Sequence, residues 1–171
     1  MSGEQAPSLR QLRRQPLVEL DAWSARGERV EGWRKHLPHR EPMLMIDEVL
    51  GVDVDEELVV ARRHVDDDHL GLSGHFPDDP VLPGTLMVEM LGQAGVVLFS
   101  VLAEENLEEE VSSIRATKIL GAHFLHPVRP PANLELVVKA EAYDAFLGHC
   151  CAQVLMDGQV VAVMRGEVMA L

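Results

Sequence analysis

Between Thr85 and about Leu102 the chain places apolar side chains at Leu86, Met87, Met90, Leu91, Ala94, Val97, Leu98, Val101 and Leu102. Steps of three and four predict a helix. The apolar positions cover so much of its circumference that it must be largely buried. AEENLEEE (103–110) is expected to end it in solvent. On both sides the pattern turns to short β-favouring runs. MLMIDEVL (43–50) and ELVVARRHV (57–65), separated by the acidic turn GVDVDE, predict an antiparallel pair. VSSIRATKILGAHFL (111–125), NLELVVKAEAYD (133–144), GHCCAQVLM (148–156) and QVVAVMRGEVMAL (159–171) follow. Asp157-Gly158 joins the last two and is a strong hairpin signal. Two strands, one buried helix and about four more strands predict an α+β domain, with an antiparallel sheet wrapped around the helix.

Residues 1–35 stand apart as an extension, partly helical or flexible, ahead of a domain spanning 36–171. SLRQLRRQPLVELDAW predicts a short helix broken at Pro16, with some fraying. HLPHREP (36–42) and HPVRPPAN (126–133) read as proline-rich loops, and DDDHLGLSGHFPDDPVLPG (66–84) as a long connection without a period. Irregular segments of that length are uncommon inside a compact domain and are often functional.

Composition adds boundaries. A chain of 171 residues, 47% hydrophobic and 25% charged, fits one globular domain. Residues 1–40 hold eight Lys/Arg against five Asp/Glu, while the remainder holds seven against 23. So acidic a body argues against nucleic-acid binding. The basic arm is open to an acidic partner, or equally to plain solvation. The start of the chain lacks a secretory apolar stretch, and the AGVVLF run is far short of the roughly 20 residues of a membrane span. A soluble cytoplasmic protein is expected. Cys150 and Cys151 are adjacent and suggest reduced residues in a strand.

Within the helix, Thr85, Glu89 and Gln93 share a stripe, with Gly92 and Gly95 beside it. A carboxylate buried there must be hydrogen-bonded or protonated, and a protonated one can donate a proton. A structural pairing with an arginine is the alternative. His75 lies ten residues before Thr85, on a segment that Pro77, Pro80 and Pro83 keep turned, so it can fold back over the helix start. There the backbone N–H groups are free, and Gly84 lets a carbonyl oxygen approach. A base, an acid and an oxyanion site would together serve proton removal next to a carbonyl. A loop histidine capping a backbone carbonyl is the commoner arrangement. His36/His39 and His123/His126 lack supporting ligands, so no metal site is expected, and no dinucleotide or phosphate-loop motif is present.

LPHREPMLMIDEV and GHFPDDPVLPGTLMVEMLGQ resemble the two signature blocks of the 3-hydroxyacyl-acyl-carrier-protein dehydratases, the FabZ/FabA type; HFLHPVRP and MDGQVVAVMRGEV are similar to that family in the right order. The resemblance covers about residues 36–170. It implies a hot-dog fold, a long helix wrapped in an antiparallel sheet. It implies His75 as catalytic histidine and Glu89 as catalytic carboxylate, the latter FabZ-like. It further implies Gly84 as the thioester-carbonyl donor, Val81 as the carbonyl orienting the histidine, Gln93 as the residue positioning the carboxylate, and Phe76 at the substrate. No cofactor or metal is implied. The partners implied are an acidic acyl carrier protein and a second copy of the chain, as a dimer or trimer of dimers, with histidine and acid supplied by different subunits. The expected activity is dehydration of 3-hydroxyacyl thioesters in fatty acid or related lipid or polyketide synthesis. A hot-dog thioesterase or a non-catalytic acyl-thioester-binding subunit are the alternatives. The chain departs from the family at Asp78, where glycine is common, and at Pro130-Pro131-Ala132-Asn133. Carrier contact would then fall to Arg62, Arg63, Arg129 or the amino-terminal arm.

Overall fold

The computed structural model describes residues 7–23, 31–69, 71–107 and 114–170. Six strands form one antiparallel sheet: β1 Glu48–Asp53, β2 Leu58–Val65, β3 Ile114–Phe124, β4 Ala132–Tyr143, β5 Leu147–Met156 and β6 Gln159–Ala170. Their order across the sheet is β1-β2-β4-β5-β6-β3. Among the described residues three α-helices accompany them, α1 Leu9–Leu12, α2 Leu20–Trp23 and the long α3 Gly84–Leu102, with a 3-10 turn at Trp33–His36. The sheet curls around α3, as the pattern predicts, in the hot-dog arrangement that the resemblance implies. The β5–β6 hairpin turns at Asp157-Gly158 with φ of 53° and 75°. Two successive left-handed residues make the turn that matches strand twist.

The sheet is apolar on both faces. Val59, Ala61, Leu136, Val138, Cys150, Ala152 and Val154 face the helix, with Met90, Leu91, Leu98 and Leu102 against them. Each fully buried aliphatic side chain contributes about 1.5–3 kcal/mol. Helix α3 is long and apolar enough to cross a membrane, but most of it is enclosed by the sheet. Leu58, Val60, Val137, Cys151, Leu155 and Val163 point the other way and form a second cluster with Leu12 and Trp23. Residues 7–23 thus pack over the outer face where the sequence predicts fraying. A capping box of Ser8 and Gln11 starts α1, and Pro16 separates it from α2. Gln153, fully buried on β5, holds the arm in place. Its amide donates to the Leu12 and Gln15 carbonyls at 2.6 and 2.8 Å and accepts from the Leu17 N–H at 2.7 Å.

Two boundaries differ from expectation. β1 begins at Glu48, because Met43–Met45 are bonded to α3 instead of to β2. α3 runs into a π turn, Ala103–Leu107, whose Ala103 is still buried. The remainder of the expected solvent end, and of the run starting at 111, lies outside the described residues up to Ile114. Cys150 and Cys151 point to opposite faces, so neighbours in sequence stay unpaired thiols.

Candidate active site

Pro83 is the N-cap of α3 and supplies no capping side chain, and the first turn carries no acidic residue. The first N–H groups of a helix have no intrahelical acceptor, and they sit at the positive end of its dipole. This terminus opens into a cleft of about 260 Å³ lined by His75, Val81, Leu82, Gly84, Met87, Phe124, Leu125, His126, Pro127 and Val128. The Phe124 ring lies against Gly84, and a Cβ there would come within 2.7 Å of it. A side chain at this position would have to displace the ring. Two loops are tied together at the rim. The Leu82 N–H donates to the Val128 carbonyl at 2.9 Å, and Arg129 grips Asp79 through two bonds of 2.8 Å.

His75 Nδ1 lies 2.7 Å from the Val81 carbonyl oxygen. A carbonyl only accepts, so Nδ1 carries the proton and Nε2 keeps its lone pair. The ring is thus held in the tautomer a base needs. Phe76 stands beside it, ring centroids 4.3 Å apart, with φ of 58°. A bulky residue in the left-handed region costs about 1–3 kcal/mol and persists only where its surroundings impose it. Phe76 is 62% exposed and lies outside the cleft lining, so it meets no enclosed space in the single chain. Asp78 is exposed; its neighbour Asp79 is the one engaged, and the Arg129 guanidinium holds the Asp79 carboxyl below its usual range.

Glu89 and Gln93 lie further along α3, Glu89 about 7.5 Å beyond Gly84 by helix rise. The buried Gln93 amide donates to Glu89 Oε1 at 2.8 Å and to the Met43 carbonyl at 2.6 Å, and it accepts from the Met45 N–H at 2.9 Å. It pins the 37–45 loop to the helix and fixes the carboxylate. The Glu89 side chain is 36% exposed, not buried as its apolar neighbours imply. At Gln93 its stripe meets the 37–45 loop. Its partners are Gln93 and His39, whose Nε2 lies 3.7 Å from Oε1, rather than an arginine. In the sequence His39 reads only as half of a weak metal candidate. The signal for its place at the site is the polar pair Glu89 and Gln93, which needs covering groups. His75, Val81 and Gly84 therefore share one cleft of the chain, while Glu89, Gln93 and His39 form a separate group.

A family model described as the FabA-like domain matches residues 37–165. The chain belongs to the FabA-like family. Proteins named 3-hydroxyacyl-[acyl-carrier-protein] dehydratase FabZ are similar to it. One from Chlamydia trachomatis serovar L2 is 35% identical over 126 residues, 74% of this chain and 81% of that protein. Another from Bordetella parapertussis is 38% identical over 137 residues, 78% of this chain and 89% of that protein. Among solved structures, the dehydratase heterocomplex ApeI:P from Xenorhabdus doucetiae superposes with a TM-score of 0.65 at 22% identity, covering 84% of this chain and 93% of that one. The TT0310 protein of Thermus thermophilus gives 0.58 at 18% identity, covering 78% and 100%. At these identities the two structures bear on the fold alone.

Proposed function

We propose that this FabA-like protein dehydrates 3-hydroxyacyl thioesters carried by an acyl carrier protein, giving trans-2-enoyl thioesters in fatty acid or related lipid or polyketide synthesis. The observation that carries the reading is the His75 tautomer beside an uncapped helix terminus: a lone pair at Nε2 and free N–H donors at Gly84 open on one cleft. The thioester carbonyl accepts from the Gly84 N–H, which acidifies the C2 proton. His75 Nε2 removes that proton. The Glu89 carboxyl group, held by Gln93, gives a proton to the C3 hydroxyl as the C3–O bond breaks. The C2–H electron pair becomes the C2–C3 double bond, and one water leaves. Imidazolium and carboxylate remain and re-equilibrate with solvent. A positioned acid or base contributes about 10²–10⁴-fold, and one oxyanion donor about 10²–10³-fold.

The two groups of residues meet between protomers in this reading. β3 is an edge strand eleven residues long, and Ile119, Leu120 and Phe124 on it are half or more exposed. A long apolar edge is a template for strand pairing. A homodimer joined through β3 covers Phe124 and brings the histidine of one copy to the Glu89 stripe of the other. Residues 36–171 form the catalytic unit and 1–35 its extension, in a cytoplasmic setting.

The test is a mass spectrum of carrier-bound 3-hydroxyacyl substrate after incubation. Loss of one water supports the reading. Release of free acid would assign a thioesterase instead, and an unchanged spectrum would leave a binding subunit. His75→Ala and Glu89→Gln should each abolish turnover in a folded protein, and near-full activity in either variant overturns the assigned role.

A further inference from the structure

The carrier reading requires a surface that receives an acidic protein, on a chain whose net charge is −13. Most cations of the body are engaged. Lys35 faces Glu104, Arg62 faces Glu135, Arg63 faces Asp47, Arg129 faces Asp79, Lys139 faces Glu56 and Arg165 faces Glu141. Arg34 lies over the Trp33 ring, and Arg40 donates to the Leu37 and His39 carbonyls. Arg62, Arg63 and Arg129, the candidates on the body, therefore each already face a carboxylate. Among the described residues Arg10, Arg13 and Arg14 have no carboxylate, carbonyl or ring partner, and all three are exposed. Arg115 and Lys118 are likewise without one, but they sit on β3, the edge assigned to the dimer.

The arm presents these arginines from a fixed footing. Leu12 is buried beneath them, Gln153 holds the Leu12 and Gln15 carbonyls and the Leu17 N–H, and Arg165 holds the Pro7 carbonyl. The arm's apolar cluster includes Leu125, which also lines the cleft with His75. The apolar cluster beneath the ridge therefore reaches as far as the wall of the cleft. The ridge lies outside the residues that match the family, 37–165, and so belongs to this chain's own extension. We propose that Arg10, Arg13 and Arg14, displayed by the docked arm, form the surface that receives the acidic face of the acyl carrier protein. The proposal rests on the dehydratase reading for its partner. Charge complementarity of this kind acts on encounter rate and is screened by salt.

The test compares the full-length protein with an Arg10→Glu/Arg13→Glu/Arg14→Glu variant, and with a milder variant carrying glutamine at the three positions. Each is assayed on the same 3-hydroxyacyl group borne by the carrier protein and by a short pantetheine thioester. The expected result is a KM for the carrier substrate raised about tenfold or more at low salt, with the pantetheine KM unchanged. Salt should raise the wild-type carrier KM, leave that of the glutamine variant nearly flat and lower that of the glutamate variant, where it screens a repulsion. Equal carrier KM values, or equal losses on both substrates, overturn the proposal. Anionic phospholipid vesicles that bind wild type and not the variant, with carrier kinetics unchanged, also overturn it and give the ridge to a membrane. If wild type dehydrates neither substrate, the dehydratase reading fails. Binding of fluorescently labelled carrier to wild type and variant then still decides the docking surface, with equal affinities overturning it.

Discussion

Gln93→Met keeps the length and volume of a buried side chain while deleting three hydrogen bonds that join α3, the 37–45 loop and Glu89. The three losses differ in cost. Met45 is buried, so its N–H is left without water, at about 1–3 kcal/mol. Met43 is 44% exposed, so its carbonyl can rehydrate, and only the net bond of about 0.5–1.5 kcal/mol is lost. Glu89 is partly exposed and rehydrates as well. The sum is about 2–4 kcal/mol, below the roughly 5–15 kcal/mol of a typical domain, so the variant stays folded. Urea unfolding with an m-value of about 2 kcal/mol/M should show the midpoint falling by about 1–2 M with m unchanged. Turnover at saturating substrate should fall more than tenfold, because the carboxylate loses the group that aims it. A midpoint within about 0.3 M of wild type would refute the view that this amide fastens the loop to the helix.

Two glycines make a contrasting pair. A Cβ at Gly148 comes within 2.6 Å of the buried Phe99 ring, so Gly148→Ala should cost about 1–3 kcal/mol in a denaturation curve. At Gly84 it meets Phe124, half exposed and able to swing away, so Gly84→Ala should cost under about 1 kcal/mol of stability while kcat/KM drops severalfold. Burial pushes the Cys150 and Cys151 thiols up to about 12. Alkylation at pH 8 should leave both unmodified by mass spectrometry until denaturant is added, and rapid labelling of the native protein would contradict their placement. Burial also holds His36 below its ordinary 6.5, outweighing the pull of Glu104. The unfolded chain therefore takes up this proton first, and the stability from neutral His36 is lost as pH falls from about 6.5 through the lower folded-state value. His36→Asn should flatten that part of the melting-temperature profile against pH, and an unchanged slope would count against it.

What is legible in the sequence follows from which forces are local. Helix α3 and the β5–β6 turn are readable because spacing and a left-handed Asp-Gly pair act within a few residues. Glu89 is more exposed than its neighbours imply because periodicity places a residue on a stripe but does not say what covers the stripe; here it is a loop with room beside it. The strand expected from Met43 fails for the same reason, since Gln93, 48 residues beyond Met45, claims that backbone. The arm is the larger omission, although its signal lies outside the arm itself. LVVA in β2 and CCA and VLM in β5 are apolar at consecutive positions, and in a strand consecutive side chains point to opposite faces. A strand of that kind needs two covers, and α3 can supply only one. Gln153, polar in the middle of such a run, marks where the second cover has to be fastened, since a buried amide needs backbone partners and three arm residues are the ones that meet it. The composition of the central strands therefore demands the extension, and an extension so held can display charge at a fixed place on the surface.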